Sequence, residues 1–204
     1  MQIEFQVEEP SMEKTIDNLA PKIIKGRATY KIINYRGKTR LLRELPKRLR
    51  AYRNRIKKED IKIVVLLDED RKSCLELKNI LENFSENAGL YTKSNPDSDG
   101  NFTVINRIVI EELEAWFFGD CEALIKCYPR LPENLQLKAR YRNPDAIKGG
   151  TWEALHRELA KAGYFKTVLP KLEVARNISS AMCPSKNRSK SFQVFHHGLE
   201  TFFD

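Results

Sequence analysis

The sequence predicts an α/β protein: a mainly parallel sheet sandwiched by helices, with a C-terminal, mostly helical extension. Three observations carry that reading. The run Ile61-Lys-Ile-Val-Val-Leu-Leu ahead of Asp68 is apolar at six of seven positions and largely β-branched, the pattern of a strand buried on both faces. Strand-like and helix-like segments alternate as βαβαβαβα from the N-terminus, and strands separated by helices pair in parallel. After Asp120 the alternation gives way to helices and proline-containing loops. The core is therefore assigned to residues 1–120 and the helical extension to 121–204, packed on the same core as a single domain. No low-complexity linker and no internal repeat interrupts it.

Ile3 to Val7 alternates as a strand, and Glu8-Glu9-Pro10-Ser11 turns into a helix. Ser11 has the chemistry of an N-cap, with Met12, Ile16, Leu19 and Ile23 on one face. Thr29 to Tyr35 reads as the second strand. Between Arg36 and Lys58 stand eleven basic residues against Glu44 alone, while Leu41, Leu42, Leu45, Leu49, Tyr52 and Ile56 recur at helical spacing. That is an amphipathic helix with an apolar inner stripe and a strongly basic outer face. A helix from about Ser73 to Phe84 carries Leu75, Leu77, Ile80 and Leu81 as its apolar residues. Asn95 to Asn101 is a turn cluster, Phe102 to Ile110 a strand, and Glu111 opens a helix containing Trp116 and Phe117, both expected in the core.

Composition bounds the class. The 204 residues are 41% apolar and 31% charged with a net charge of +8, ordinary for a globular protein with a well-charged surface. No apolar run approaches the roughly 18 to 20 residues of a membrane span, so no membrane partner is expected. Met1-Gln-Ile-Glu-Phe-Gln-Val starts a strand at once, giving an expectation of no signal peptide. Cys74, Cys121, Cys127 and Cys183 are scattered, which argues against zinc or a disulfide framework and for free thiols in a cytoplasmic protein. The basic helix is open to three readings: a contact for a nucleic-acid backbone, a solvated face, or a dock for an acidic partner.

Acids mark the strand ends. Asp68 and Asp70 leave the central strand together, and ligands of open α/β sheets sit at the carboxyl ends of strands. Two carboxylates there suit a hard divalent cation, magnesium or manganese. Glu8 follows the first strand, and Glu112 and Glu114 follow the last. If these strands are neighbours, their ends converge, and the acids repel one another unless a cation or proton lies between them. The alternative is that they only begin helices, which acids do routinely. Gly37-Lys38-Thr39 mimics the end of a P-loop, but Ile32 stands where its first glycine is needed. His156, His196 and His197 lack zinc-ligand spacing, and no Ser-His-Asp arrangement is legible.

The motifs Val7-Glu8-Glu9-Pro10-Ser11-Met12-Glu13, Gly37-Lys38 ahead of Leu41, Val64-Val65-Leu66-Leu67-Asp68-Glu69-Asp70, Glu112-Leu113-Glu114-Ala115-Trp116, Asn143-Pro144-Asp145 and Asn187-Arg188-Ser189-Lys190-Ser191-Phe192 resemble the bacterial domain-of-unknown-function family 4276. That family looks like a divergent branch of the Toprim superfamily, the metal-binding fold of primases, topoisomerases and related nucleases. The resemblance implies a Toprim-like core, with Glu8 matching the Toprim glutamate and Asp68 and Asp70 its Asp-x-Asp pair. Two departures stand out: Glu9 replaces the usual glycine, and no glycine occurs in Arg71-Lys72-Ser73. Family members often lie beside genes for recombination-repair-type ATPases, which implies a two-component nuclease or an anti-phage system with an ATPase partner.

The resulting expectation is a magnesium- or manganese-dependent nuclease acting on DNA or RNA. Glu8, Asp68, Asp70 and Glu112 are its expected catalytic groups, and the same residues with Glu114 its metal ligands. Lys38, Arg188, Ser189 and Ser191 supply charged and hydroxyl donors to phosphate, with Lys148-Gly149-Gly150 as a weaker basic-loop candidate. The competing expectation for Asn187 to Phe192 is a polar loop anchored by Phe192 and Phe195. The competing functions are a catalytically degenerate docking or regulatory subunit of an ATPase complex, and nucleotidyl or phosphoryl transfer without cleavage.

Overall fold

Four strands form one sheet: β1 (Gln2–Val7), β2 (Thr29–Asn34), β3 (Ile61–Asp68) and β4 (Val104–Val109). The order across it is β2-β1-β3-β4, and every pairing is parallel. The computed structural model describes residues 1–70 and 73–204. Arg71 and Lys72, where one departure from the expected glycine falls, lie outside them.

The helices between strands are α1 (Pro10–Ile24), α2 (Lys38–Arg55) and α3 (Cys74–Asn87). After β4 come α4 (Glu114–Gly119), α5 (Cys121–Cys127), α6 (Thr151–Lys161), α7 (Lys171–Ala181) and α8 (Lys190–Glu200), with short 3-10 turns among them. The C-terminal part is helical, as the loss of alternation after Asp120 predicts.

Strand periodicity divides the core into two layers. Ile3, Phe5 and Val7 of β1, Val64 and Leu66 of β3, and Ile105 and Val109 of β4 pack with α1. The same cluster continues through Trp116, Phe117 and Phe118 to Leu155, Ile178, Phe192 and Phe195, so the C-terminal helices share its core. On the opposite face Ile61, Ile63, Val65 and Leu67 meet Leu41, Leu45 and Leu49 of α2 and Leu77 and Leu81 of α3. All but Lys62 of the β3 run is buried, as a central parallel strand requires.

Three local expectations are corrected. Ser11 is not the N-cap of α1: the helix starts two residues earlier than that cap implies, with Pro10 at its first position and Glu9 as cap. Proline is preorganised for that position because its missing N–H is not needed there. Ser11 is instead buried, and its hydroxyl donates to the Glu9 carboxylate. Glu111 does not open a helix, since α4 begins at Glu114. Leu75, counted on the apolar face of α3, is 74% exposed, so Leu77 and Leu81 make that helix's contact with the sheet. Among the described residues no helix is long and apolar enough to cross a membrane.

Candidate functional site

Because all four strands run the same way, their carboxyl ends meet at one edge. The paired register sets Val7 beside Leu66 and Asn34, and Asp68 beside Val109. The segments that follow carry Glu8 and Glu9, Lys38, Asp68 to Asp70, and Glu111 to Glu114. The topology brings the acids to a common edge.

Asp68 is the centre of this edge. It is 6% exposed, and its Oδ1 is buried without a hydrogen-bond partner among the described residues. Its backbone N–H donates to Glu8 Oε2 at 3.3 Å. Burial pushes its carboxyl well above the usual carboxylate range, and the charges of Glu8, Glu114, Glu9 and Asp70 push the same way. Burial likewise raises Glu8 to about 7, opposed by the Lys38 ammonium and reinforced by Asp70. Glu114, buried at the start of α4, is raised to about 8 by burial, with Lys171 opposing. Burial is the largest cause at all three, and at Asp68 the neighbouring acids add to it, so this edge holds carboxyls out of water beside like charge.

Two lysines face them. Lys38, the first residue of α2, donates to the Asp68 carbonyl and to Asp70 Oδ2. Lys171 starts α7 and lies 4.7 Å from the centroid of the Trp152 ring. Burial alone would lower its pKa, but Glu114, Glu9, Glu112 and Asp68 together raise it. Replacing Lys38 with methionine removes the group that opposes burial at Glu8. The Glu8 titration midpoint should then move above about 7, read by carbon-13 NMR of its carboxyl.

The loops after β3 and β4 are stitched together. Glu69 and Asp70 donate their N–H groups to the carbonyls of Val109 and Glu111, each at 2.9 Å. Glu69 also accepts from the Cys74 N–H at 3.0 Å and the Glu111 N–H at 3.1 Å. Asp70 and Glu111 both adopt left-handed backbone, φ 53° and 57°, a conformation uncommon for residues other than glycine and concentrated at functional sites. The edge opens on a cavity of about 730 Å³ lined by Lys38, Asp70, Glu111, Glu112, Gly149, Gly150 and Glu153.

Of the expected ligands, Asp68 feels the charges of Glu8 and Glu114, and Asp70 stands at the cavity wall. Glu112 lines the cavity but is engaged: its Oε2 accepts from Thr151 Oγ1 at 3.1 Å and the Trp152 N–H at 2.9 Å, at the start of α6. Among the described residues no three His, Cys, Asp or Glu side chains are gathered so as to hold a metal ion. The donor set nevertheless has the right chemistry for a hard cation, and the unpartnered Asp68 Oδ1 is an acceptor with capacity to spare.

The expected phosphate donors divide. Lys38 and the Gly149-Gly150 loop are at the cavity. Ser189 and Ser191 are not: both are buried, and both hydroxyls donate to Asp145 Oδ1, at 2.6 and 3.3 Å. Ser189 also caps α8 by accepting from the Phe192 N–H, and Ser191 Oγ accepts from the Trp116 indole N–H at 3.0 Å. Arg188 bonds the carbonyls of Arg142 and Phe118 and lines a separate small cavity with Asp120 and Glu122. The Asn187–Phe192 motif thus builds the anchored polar loop, over Phe192 and Phe195 packed on Trp116. Sequence reasoning overlooked Glu69 and Lys171. Glu69 lies inside the Asp-Glu-Asp motif, whereas nothing in the spacing of Lys171 connects it to the acids.

The sequence matches the domain of unknown function DUF4276 over residues 7–200. The chain belongs to this family. No curated protein and no solved structure matches it. Within the DUF4276 chain, the match spans the acid edge, its cavity and the Asp145 anchor alike.

Proposed function

We propose that this DUF4276 protein is a metal-dependent phosphodiesterase of Toprim-like kind acting on nucleic acid, with its centre at Asp68. The observation that carries the reading is a buried carboxylate with an unpartnered oxygen, crowded by Glu8 and Glu114 at the carboxyl end of a parallel sheet. Asp68 and Asp70, with Glu8, would hold magnesium or manganese, and Glu114 would complete the set. Such an ion, when bound, supplies Lewis-acid activation of water and stabilisation of the leaving oxygen.

The remaining work falls to the chain itself. Glu8, with a midpoint of about 7, can accept a proton near neutrality. Lys38 holds the Asp70 carboxylate at the cavity wall and offers positive charge to a phosphate oxygen. The basic face of α2, which begins at Lys38, supports nucleic acid as the substrate class.

A second reading is favoured by a specific observation. Glu112 is committed to the start of α6, and the described residues gather no three-ligand set. Those facts suit a degenerate docking subunit of an ATPase complex. The deciding experiment incubates the protein with single- and double-stranded DNA and RNA and magnesium or manganese, beside Asp68→Asn and Asp70→Asn. Cleavage reduced by roughly a hundredfold or more in both variants, with unchanged folding, is the expected result. Absence of cleavage on every substrate transfers the weight to the docking reading.

A further inference from the structure

β4 is an outer strand of the sheet, and part of its open edge lies in a groove between α3 and α8. Successive residues of a parallel ladder turn their peptide groups alternately to either side. The carbonyls of Thr103 and Val109 accept from the amides of Ile63 and Glu69 at 2.9 Å, so odd-numbered residues face β3. Even-numbered residues face outward. Val104 bonds Tyr91 and Lys93 at 3.1 and 2.9 Å, and the Asn106 carbonyl accepts from Lys78 Nζ at 2.8 Å. Thr92 makes a single isolated parallel bridge to Val104, and the turn to Asn95 ends the pairing there. Further along, Asn106 is buried and its carbonyl is also taken by Arg107 Nη1 at 3.0 Å, so the N–H and C=O of Ile108, 8% exposed, are the groups the edge offers, and no described residue bonds them.

The groove beside these groups has a volume of about 440 Å³. Leu75, Ile108, Ile110 and Val194 form its apolar surface, and Leu75 and Val194 are exposed at 74% and 41%. Lys78, Arg107 and Lys190 supply its charge. Its one acidic residue, Asp145, is spent on Ser189, Ser191 and the start of α8. Lys78 is paired with Glu82, whereas Arg107 and Lys190 have no carboxylate partner among the described residues.

We propose that this edge binds an extended, acidic and apolar segment of a partner protein by strand addition. The unpaired N–H and C=O of Ile108 supply the main-chain hydrogen bonds, and the flanking apolar surfaces accept alternate side chains. The cationic surround selects the sign of the remaining residues. A second copy of this chain fits less well, because pairing two β4 edges sets Lys78, Arg107 and Lys190 against their own counterparts. Nucleic acid would leave the apolar surface facing phosphates. Among the described residues the groove shares no lining residue with the acid-edge cavity, so the inference stands apart from the catalytic reading.

The test is selection of short random peptides displayed on phage, using the full-length protein as bait and Val194→Glu as the counter-bait. Val194 is exposed, so the substitution leaves the core intact. The expected result is enrichment of peptides alternating apolar residues with Asp or Glu. Their synthetic forms should bind Val194→Glu and Leu75→Glu at least about tenfold more weakly. Hydrogen exchange at the Ile108 amide should slow on binding. No enrichment over the counter-bait overturns the proposal, as does enrichment without acidic residues or binding that leaves the Ile108 amide unprotected. A concentration-dependent dimer that protects Ile108 before any peptide is added assigns the edge to a second copy and also overturns it.

Discussion

The metal-free protein is expected to lose stability as pH rises from about 5 to about 8, and a divalent cation to restore it most at the alkaline end. Glu8 titrates at about 7 and Glu114 at about 8 in the fold, with Asp68 also well above its ordinary range. Unfolded, such groups release their protons near pH 4. Raised carboxyls reverse the usual acid case: between the unfolded and folded midpoints the folded state holds protons that the unfolded chain has lost. Stability is therefore highest below the unfolded midpoint and declines through this window. Glu8 alone, raised from 4.5 to about 7, corresponds to about 3 kcal/mol at most. For a chain of this length that is a fall in Tm on the order of 5 to 10 °C.

Magnesium or manganese competes with protons for the same oxygens, so its stabilising effect should grow with pH. Calorimetry at both ends of the range, with manganese or with a chelator, measures both trends. Asp68→Asn removes one of the three raised carboxyls and should weaken the pH dependence and abolish most of the manganese response. A Tm that is constant with pH would remove the electrostatic basis of the proposed centre. An equal manganese response in wild type and Asp68→Asn would place the ion elsewhere.

How much of this was legible beforehand follows the range of each interaction. The β3 run reads as a central strand because burial on both faces leaves its mark on every residue, Lys62 excepted. Parallel pairing then forces Glu8, Asp68 and Glu114 to one edge, so their neighbourhood is implied by order along the chain. Side-chain engagement carries no such local mark. Ser189 and Ser191 have the chemistry of phosphate donors, and Asp145, 44 and 46 residues away, turns them inward. Glu112 likewise has the spacing of a ligand and is committed to Thr151 and Trp152. Leu75 sits in an apolar-looking helix but faces out beside β4.

The same anchor yields the largest mutational effect expected outside the acid edge. Asp145 receives the hydroxyls of Ser189 and Ser191 on one oxygen and the N–H groups of Lys190 and Ser191 on the other. It thereby places a carboxylate at the N-terminus of α8, where the helix dipole favours negative charge. Asp145→Ala leaves Ser189, fully buried, and Ser191 short of a partner, and frees the first turn of α8 above Trp116, Phe192 and Phe195. The expected loss is roughly 3 to 5 kcal/mol, since an acceptor is removed while its donors stay buried. Asp145→Asn keeps one carbonyl oxygen without the charge and should fall between the two. Ser191→Ala, which removes one hydroxyl and leaves the indole N–H of Trp116 unpaired, should cost about 1 to 3 kcal/mol. Urea unfolding followed by Trp116 fluorescence reads this environment directly, since Trp116 packs against α8. An Asp145→Ala unfolding free energy within about 1 kcal/mol of wild type would show that the network adds little to stability. A Ser189→Ala variant of unchanged stability but weakened nucleic-acid binding would return the motif to the phosphate-contact role expected from its chemistry.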